Sequence, residues 1–157
     1  MARQNILGGD SLNPEVGSIM AYFYKLFPVK IYTKEVPEQF EVPSLYVPTP
    51  FTFDGNDTNQ TFMKTYNLPV KLFHSDPQLA HAEAERIADA VRRKRMLIPL
   101  INPDGTSAGQ FLRITRIDTR ITEGVASIIV LWDSRYHYDR EETTPLENIA
   151  FENGVKK

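Results

Sequence analysis

Apolar residues recur at offsets of three and four through Val16, Ile19, Met20, Phe23, Leu26 and Phe27, the repeat of one buried helical face. Asn13 stands where a cap belongs, and Pro14 stands at the first helical position, where a missing N–H costs nothing. Pro28 ends the helix, because the residue before a proline is pushed out of the helical region and the ring blocks the hydrogen-bond ladder. The period then changes. Val29, Ile31 and Thr33 alternate with Lys30, Tyr32 and Lys34, as on a strand with one buried face. A second short strand over 44–47 is bracketed by Pro43 and Pro48, which predicts an edge position. Within 48–60, Asp54-Gly55-Asn56-Asp57 has the composition of a loop tip and predicts the end of a long hairpin. Phe62, Tyr66, Leu68, Val70 and Leu72 share one parity, predicting a strand over 61–73 in which Pro69 points to an edge or a bulge.

The second half carries clearer signals. Ser75-Asp76-Pro77 predicts a capped helix start, followed by a stripe of Ala80, Ala84, Ile87, Ala88 and Val91, whose small side chains allow close approach to a sheet. The basic run Arg92, Arg93, Lys94, Arg95 closes this helix, where cations complement the helix dipole. A strand over 97–101 leads into the turn Asn102-Pro103-Asp104-Gly105-Thr106. Two long β-branched and aromatic segments, 110–121 and 125–138, flank Thr122-Glu123-Gly124, a connection that predicts a hairpin with a bulge. On the second segment Ala126, Ile128, Val130 and Trp132 share one face, while Val125, Ile129 and Leu131 share the other. Apolar residues on both faces predict a central strand or one covered by a neighbouring subunit. The fold class expected is therefore α/β of the α+β type: a mainly antiparallel or mixed sheet, two principal helices packed on it, and a long C-terminal β-hairpin. Residues 1–12 read as a mobile arm, 13–140 as one domain, and 141–157 as a polar tail with Leu146, Ile149 and Phe151 as a short apolar series.

Length agrees with one domain: 157 residues bury roughly 70% of the extended chain's surface on folding. The chain has no cysteine, which excludes disulfides, thiolate metal sites and cysteine nucleophiles. No apolar run approaches the roughly 20 residues of a membrane span, and a signal-peptide pattern is missing, so the expectation is a soluble protein made in the cytoplasm. The formal charge of −2 argues against a free-standing nucleic-acid binder. Charge is nevertheless patchy, with Asp139, Glu141, Glu142, Glu147 and Glu152 at one end and the Arg92–Arg95 run elsewhere, as suits contact with copies of itself or with neighbours.

The sequence contains no phosphate-binding glycine loop, no dinucleotide fingerprint, no nucleophile elbow and no zinc-protease helix. His74, Asp76 and His81 are one candidate metal set, read against a capping Asp76 with two surface histidines. His137, Asp139 and Glu141 alternate as a solvated strand face does. Arg92 to Arg95 fit a solvated helix end, a subunit salt-bridge surface or a DNA contact, and Trp132, Tyr136 and Tyr138 fit core, interface or base stacking. The expectation is a non-enzyme with no catalytic residue, no cofactor and no metal.

The order helix, Phe27-Pro28, Val29-Lys30-Ile31-Tyr32, Glu35, Gln39-Phe40, Pro43-Ser44-Leu45-Tyr46-Val47 resembles the amino-terminal part of tail terminator proteins of tailed bacteriophages, also called tail completion or minor tail proteins. Leu68-Pro69-Val70-Lys71-Leu72-Phe73 and the helix with Ala82-Glu83-Ala84-Glu85-Arg86-Ile87 are similar to that family's next strand and helix, and the terminal hairpin matches in kind. The resemblance runs over 16–138 with gaps. It implies a virion structural protein forming a homohexameric ring at the tail neck. Such a ring ends polymerisation of the tail tube and offers a docking surface to the head–tail connector. Self, the tail tube protein, the connector or neck protein and the sheath protein are the implied partners, with no membrane. DNA would pass through the ring unbound, since acidic linings disfavour phosphate binding. The candidate interface comprises Asp54, Asn56, Asp57, Arg92, Arg93, Lys94, Arg95, Trp132, Tyr136 and Tyr138. Alternatives are another neck or connector component, a baseplate adaptor, a metal-dependent enzyme using His74, Asp76 and His81, and a regulatory nucleic-acid-binding module using Arg92 to Arg95.

Overall fold

Helix α1 (Pro14–Leu26) starts as its sequence dictates: the Asn13 side chain accepts from the Glu15 and Val16 amides at 2.6 and 3.3 Å, with Pro14 in the first turn. Residues 13–139 are the ones described by the computed structural model; the expected arm over 1–12 and tail over 141–157 lie outside them. Strands β1 (Lys30–Tyr32), β2 (Ser44–Tyr46), β3 (Phe51–Asn56) and β4 (Thr61–Phe73) follow. Helix α2 (Pro77–Arg93) then precedes β5 (Leu97–Ile101), β6 (Ser107–Thr122) and β7 (Val125–His137). The strands form one sheet in the order β1-β2-β4-β7-β6-β5, with β3 pairing β4 beside β2. Among the described residues only β1 with β2 is parallel, and the other pairings are antiparallel. The mixed, mostly antiparallel sheet with two helices is the α+β class expected.

Both helices lie on one face. From α1 come Val16, Ile19 and Phe23, and from α2 Ala80, Ala84, Ile87, Ala88 and Val91. They close over Leu68, Val70 and Leu72 of β4, Leu112, Ile114 and Ile117 of β6, and Ala126, Ile128, Val130 and Trp132 of β7. Each fully buried aliphatic side chain here contributes about 1.5–3 kcal/mol.

Several expectations need correction. β2 is not an edge strand: β1 and β4 flank it, because Pro43 and Pro48 lie just outside the three residues that pair. Pro69 sits in a central strand, opposite Ile129 of β7. On the other side of β4, β3 pairs only as far as Asn67 and β2 begins at Lys71, so Pro69 falls in a gap where no ladder donor is needed. The tip of the β3–β4 hairpin is 57–60, not Asp54 to Asp57. Asp54, Gly55 and Asn56 pair with Lys64, Met63 and Phe62, since cross-strand pairing overrides their turn propensity. Asp76 occupies the N-cap of α2 without a side-chain cap bond. The β6–β7 connection is a two-residue turn in which Glu123 and Gly124 have φ of 52° and 81°, the signs a type I′ turn requires. The bulge lies instead at Thr115, between the pairs Ile114–Trp132 and Arg116–Leu131. That extra residue switches parity, so Leu112 and Ile114 before it and Ile117 after it all reach the core.

Candidate functional site

β6 leaves β7 at Trp132, and beyond that row β7 continues with only β4 beside it. β3, β4 and the end of β7 therefore project as a three-stranded arm. Along its helix-side face runs a ladder of rings. Tyr66 stacks on Trp132 with centroids 5.1 Å apart, Phe62 stacks on Tyr136 at 5.6 Å, and Tyr138 tilts against Phe62 at 5.4 Å. The Tyr66 and Tyr136 hydroxyls share a 2.8 Å hydrogen bond. Burial, then that bond, pushes Tyr136 up to about 12. Lys64 lies 5.8 and 5.4 Å from the Tyr66 and Tyr136 ring centres. At the outer end Asp54, Gly55, Asn56, Phe62 and Tyr138 line an open pocket of about 450 Å³.

The candidate residues divide on this arm. Asp54, Asn56, Tyr136 and Tyr138 are brought together. Trp132 is 0% exposed and belongs to the core, a correction to its place in the interface set. Its indole N–H donates to Glu15 Oε1 at 2.9 Å, while Ser134 donates to Oε2 at 2.6 Å, so one carboxylate from the first turn of α1 ties the helix to β7. Asp57 is occupied within the chain. It accepts from the Thr61 hydroxyl at 2.7 Å and pairs with Arg135, and these two, the hydroxyl first, hold its carboxyl below the ordinary 3.8. Thr58 completes the tip through a 2.6 Å hydroxyl contact with Thr61.

The basic run is split by the end of α2. Arg92 pairs with Asp89 at 2.7 Å and Glu85 at 3.5 Å and donates to the Ile117 carbonyl at 3.0 Å. Thr119 also donates to Glu85, so this network fastens the helix to β6. Arg93, Lys94 and Arg95 are exposed and form no ion pair among the described residues. The Met96 amide donates to Val91 O at 3.0 Å and the Arg95 amide to Arg92 O at 3.0 Å, the paired bonds of a Schellman terminus. Arg95 holds the left-handed position, φ 63°, that glycine ordinarily takes, and Met96 follows at 62°.

His74, Asp76 and His81 do not converge. His74 Nδ1 accepts from the Ser75 amide at 2.9 Å, His81 stands 4.0 Å from Glu85, and among the described residues no three His, Asp or Glu side chains group as metal ligands do. Among the described residues no helix is long and apolar enough to cross a membrane.

Among the described residues the sheet's other face carries no helix. Ile129 and Leu131 of β7 and Met63 and Pro69 of β4 are half-buried there, while Phe51 and Phe53 of β3 are 62% and 57% exposed. The register aligns Phe51 with Asn67 and Phe53 with Thr65 on this face. Phe51 and Phe53 were not among the expected interface residues. Their signal was present in Phe51-Thr52-Phe53, an alternation whose exposure depends on which face the helices take.

No family model matches the chain. It is 52% identical over 145 residues to YqbJ of Bacillus subtilis (strain 168), covering 92% of this chain and all of that protein. It is 47% identical over 146 residues to the phage-like element PBSX protein XkdJ of the same organism, again covering 92% of this chain and all of the relative. Among solved structures, a chain of the virion of a native gene transfer agent particle superposes with a TM-score of 0.45 at 15% identity, covering 87% of this chain and 92% of that one.

Proposed function

The chain belongs to the family of YqbJ and the phage-like element PBSX protein XkdJ, and from that premise we propose that it is a structural protein of a phage-type virion. The observation that carries this reading is the helix-free face. Phe51 and Phe53 stand exposed on this face of a folded sheet; across Asn67 of β4 from Phe51 lies the half-buried Leu131 of β7, with Ile129 next along opposite Pro69. Exposed aromatic side chains of this kind suit a protein contact. Its finer form is a single-domain tail terminator, assembled as a homohexameric ring at the tail neck between tube and head connector, with DNA passing through unbound. This role is assembly and not catalysis, and it calls for no cofactor.

Electron microscopy of particles made without the chain tests the reading. Loss of a terminator gives tails of abnormal length or tails unjoined to heads. Normal-length tails beside leaky heads would assign the chain to the connector instead, and a labelled chain found at the distal tip would contradict a neck position.

A further inference from the structure

The arm and the end of α2 carry complementary halves of one contact. The arm pocket offers the Asp54 carboxylate, the Asn56 side chain and the outer rings Phe62 and Tyr138. Among the described residues Asp54 forms no ion pair, although Lys64 is its cross-strand neighbour. Lys64 lies instead over the inner rings Tyr66 and Tyr136, which leaves the outer rings for another cation. A carboxylate beside aromatic rings suits a guanidinium, which hydrogen-bonds the acid and lies against the rings.

The same chain presents such groups elsewhere. Arg93, Lys94 and Arg95 project from the α2–β5 corner, and no ion pair joins that corner to the pocket. Arg95 is the pointed case, because the Schellman terminus holds it at the outer turn of this corner, exposed and without an ion pair among the described residues.

We propose that the arm pocket of one copy receives the Arg93–Arg95 corner of the next copy, Arg95 on Asp54. The contact joins two different patches, so it is head-to-tail, the kind of contact that repeats around a ring when the rotation between copies closes. It rests on the ring reading above and supplies the subunit contact that reading requires.

Because the chain has no cysteine, introduced thiols are the only ones it carries, and multimers built of this chain alone report the contact. Asn56→Cys, Lys94→Cys and the double variant are built into particles, checked for an unchanged thermal midpoint, and oxidised. The expected result is a ladder of covalent multimers from the double variant and monomer from each single variant. Cross-linked dimers from Asn56→Cys alone, or no cross-link in particles that contain the double variant at the normal level, would overturn the contact while leaving the virion reading intact. Absence of the unsubstituted chain from particles would overturn both. As an independent arm, Arg95→Glu lowers incorporation about tenfold, and Asp54→Lys in the same chain restores it; failure of the swap to restore a folded variant counts against the pairing.

Discussion

The two faces of the sheet are built by the same strands on the same alternation, yet they end differently. On β7, Ala126, Ile128, Val130 and Trp132 are sealed beneath α1 and α2, whereas Ile129 and Leu131, one residue out of step, are only half-buried. Beneath α1 and α2 the helix side is satisfied within the molecule. Its apolar groups there are packed, and Glu15 accepts from both Trp132 and Ser134. The opposite side has an apolar centre with a polar surround, including Thr65 donating to Asp133 at 2.8 Å and Arg116 paired with Asp118 at 3.0 Å. A strand apolar on both faces thus carries, in this chain, one surface used for folding and one that the proposed assembly would use.

The comparison breaks hardest at Trp132. Trp132→Ala removes a fully buried ring, its stack on Tyr66 and its hydrogen bond to Glu15, and should cost about 3–5 kcal/mol in urea denaturation. A loss below about 1 kcal/mol would mean that the helix side is not the core. Glu15→Ala should cost about 1–3 kcal/mol, because the buried Trp132 N–H is left without its acceptor. Glu15→Gln, which keeps an oxygen acceptor, should recover part of it.

Arg95→Gly works in the other direction. It relieves the left-handed strain at the end of α2 and should raise stability by about 1 kcal/mol, while removing a cation from the corner and weakening assembly. The smallest effect belongs to Asp57. Its carboxyl is lowered by Thr61 and Arg135 below 3.8, so the stability it contributes is present above about pH 4 and lost as pH falls through the lowered value. Asp57→Asn should therefore lower stability slightly in the neutral region and converge on the natural chain below the lowered pKa, so that the acid limb of the stability–pH curve becomes shallower.

Much of this architecture was legible in local chemistry. Asn13-Pro14 and Phe27-Pro28 bound α1, and the alanine stripe of α2 is the stripe that is buried. The parity of Trp132 with Ala126, Ile128 and Val130 put the four on one face, but which face the helices cover was not legible locally. The shift from Leu112 and Ile114 to Ile117 is the bulge written in sequence, although it is easily taken for an interruption. Non-local pairing was not legible. Nothing near Ser44 says that β1 lies parallel beside β2, and nothing near Pro69 reveals the gap between β2 and β3 that accommodates it. The hairpin tip was displaced because hydroxyl bonds among Asp57, Thr58 and Thr61 make the turn. Of the candidate site, the arm residues were found as composition, but their separation from Trp132 and Arg92 depends on burial and ion pairs formed across long stretches of chain.

The central claim, that the helix-free face is kept for assembly, is tested most directly by measuring incorporation of Phe53→Arg into purified particles alongside its unfolding in urea. Phe53 is 57% exposed, so the substitution should leave stability within about 0.5 kcal/mol of the natural chain. The predicted result is a folded protein of normal stability that is depleted from particles; a full complement of the variant in normal particles would contradict the account.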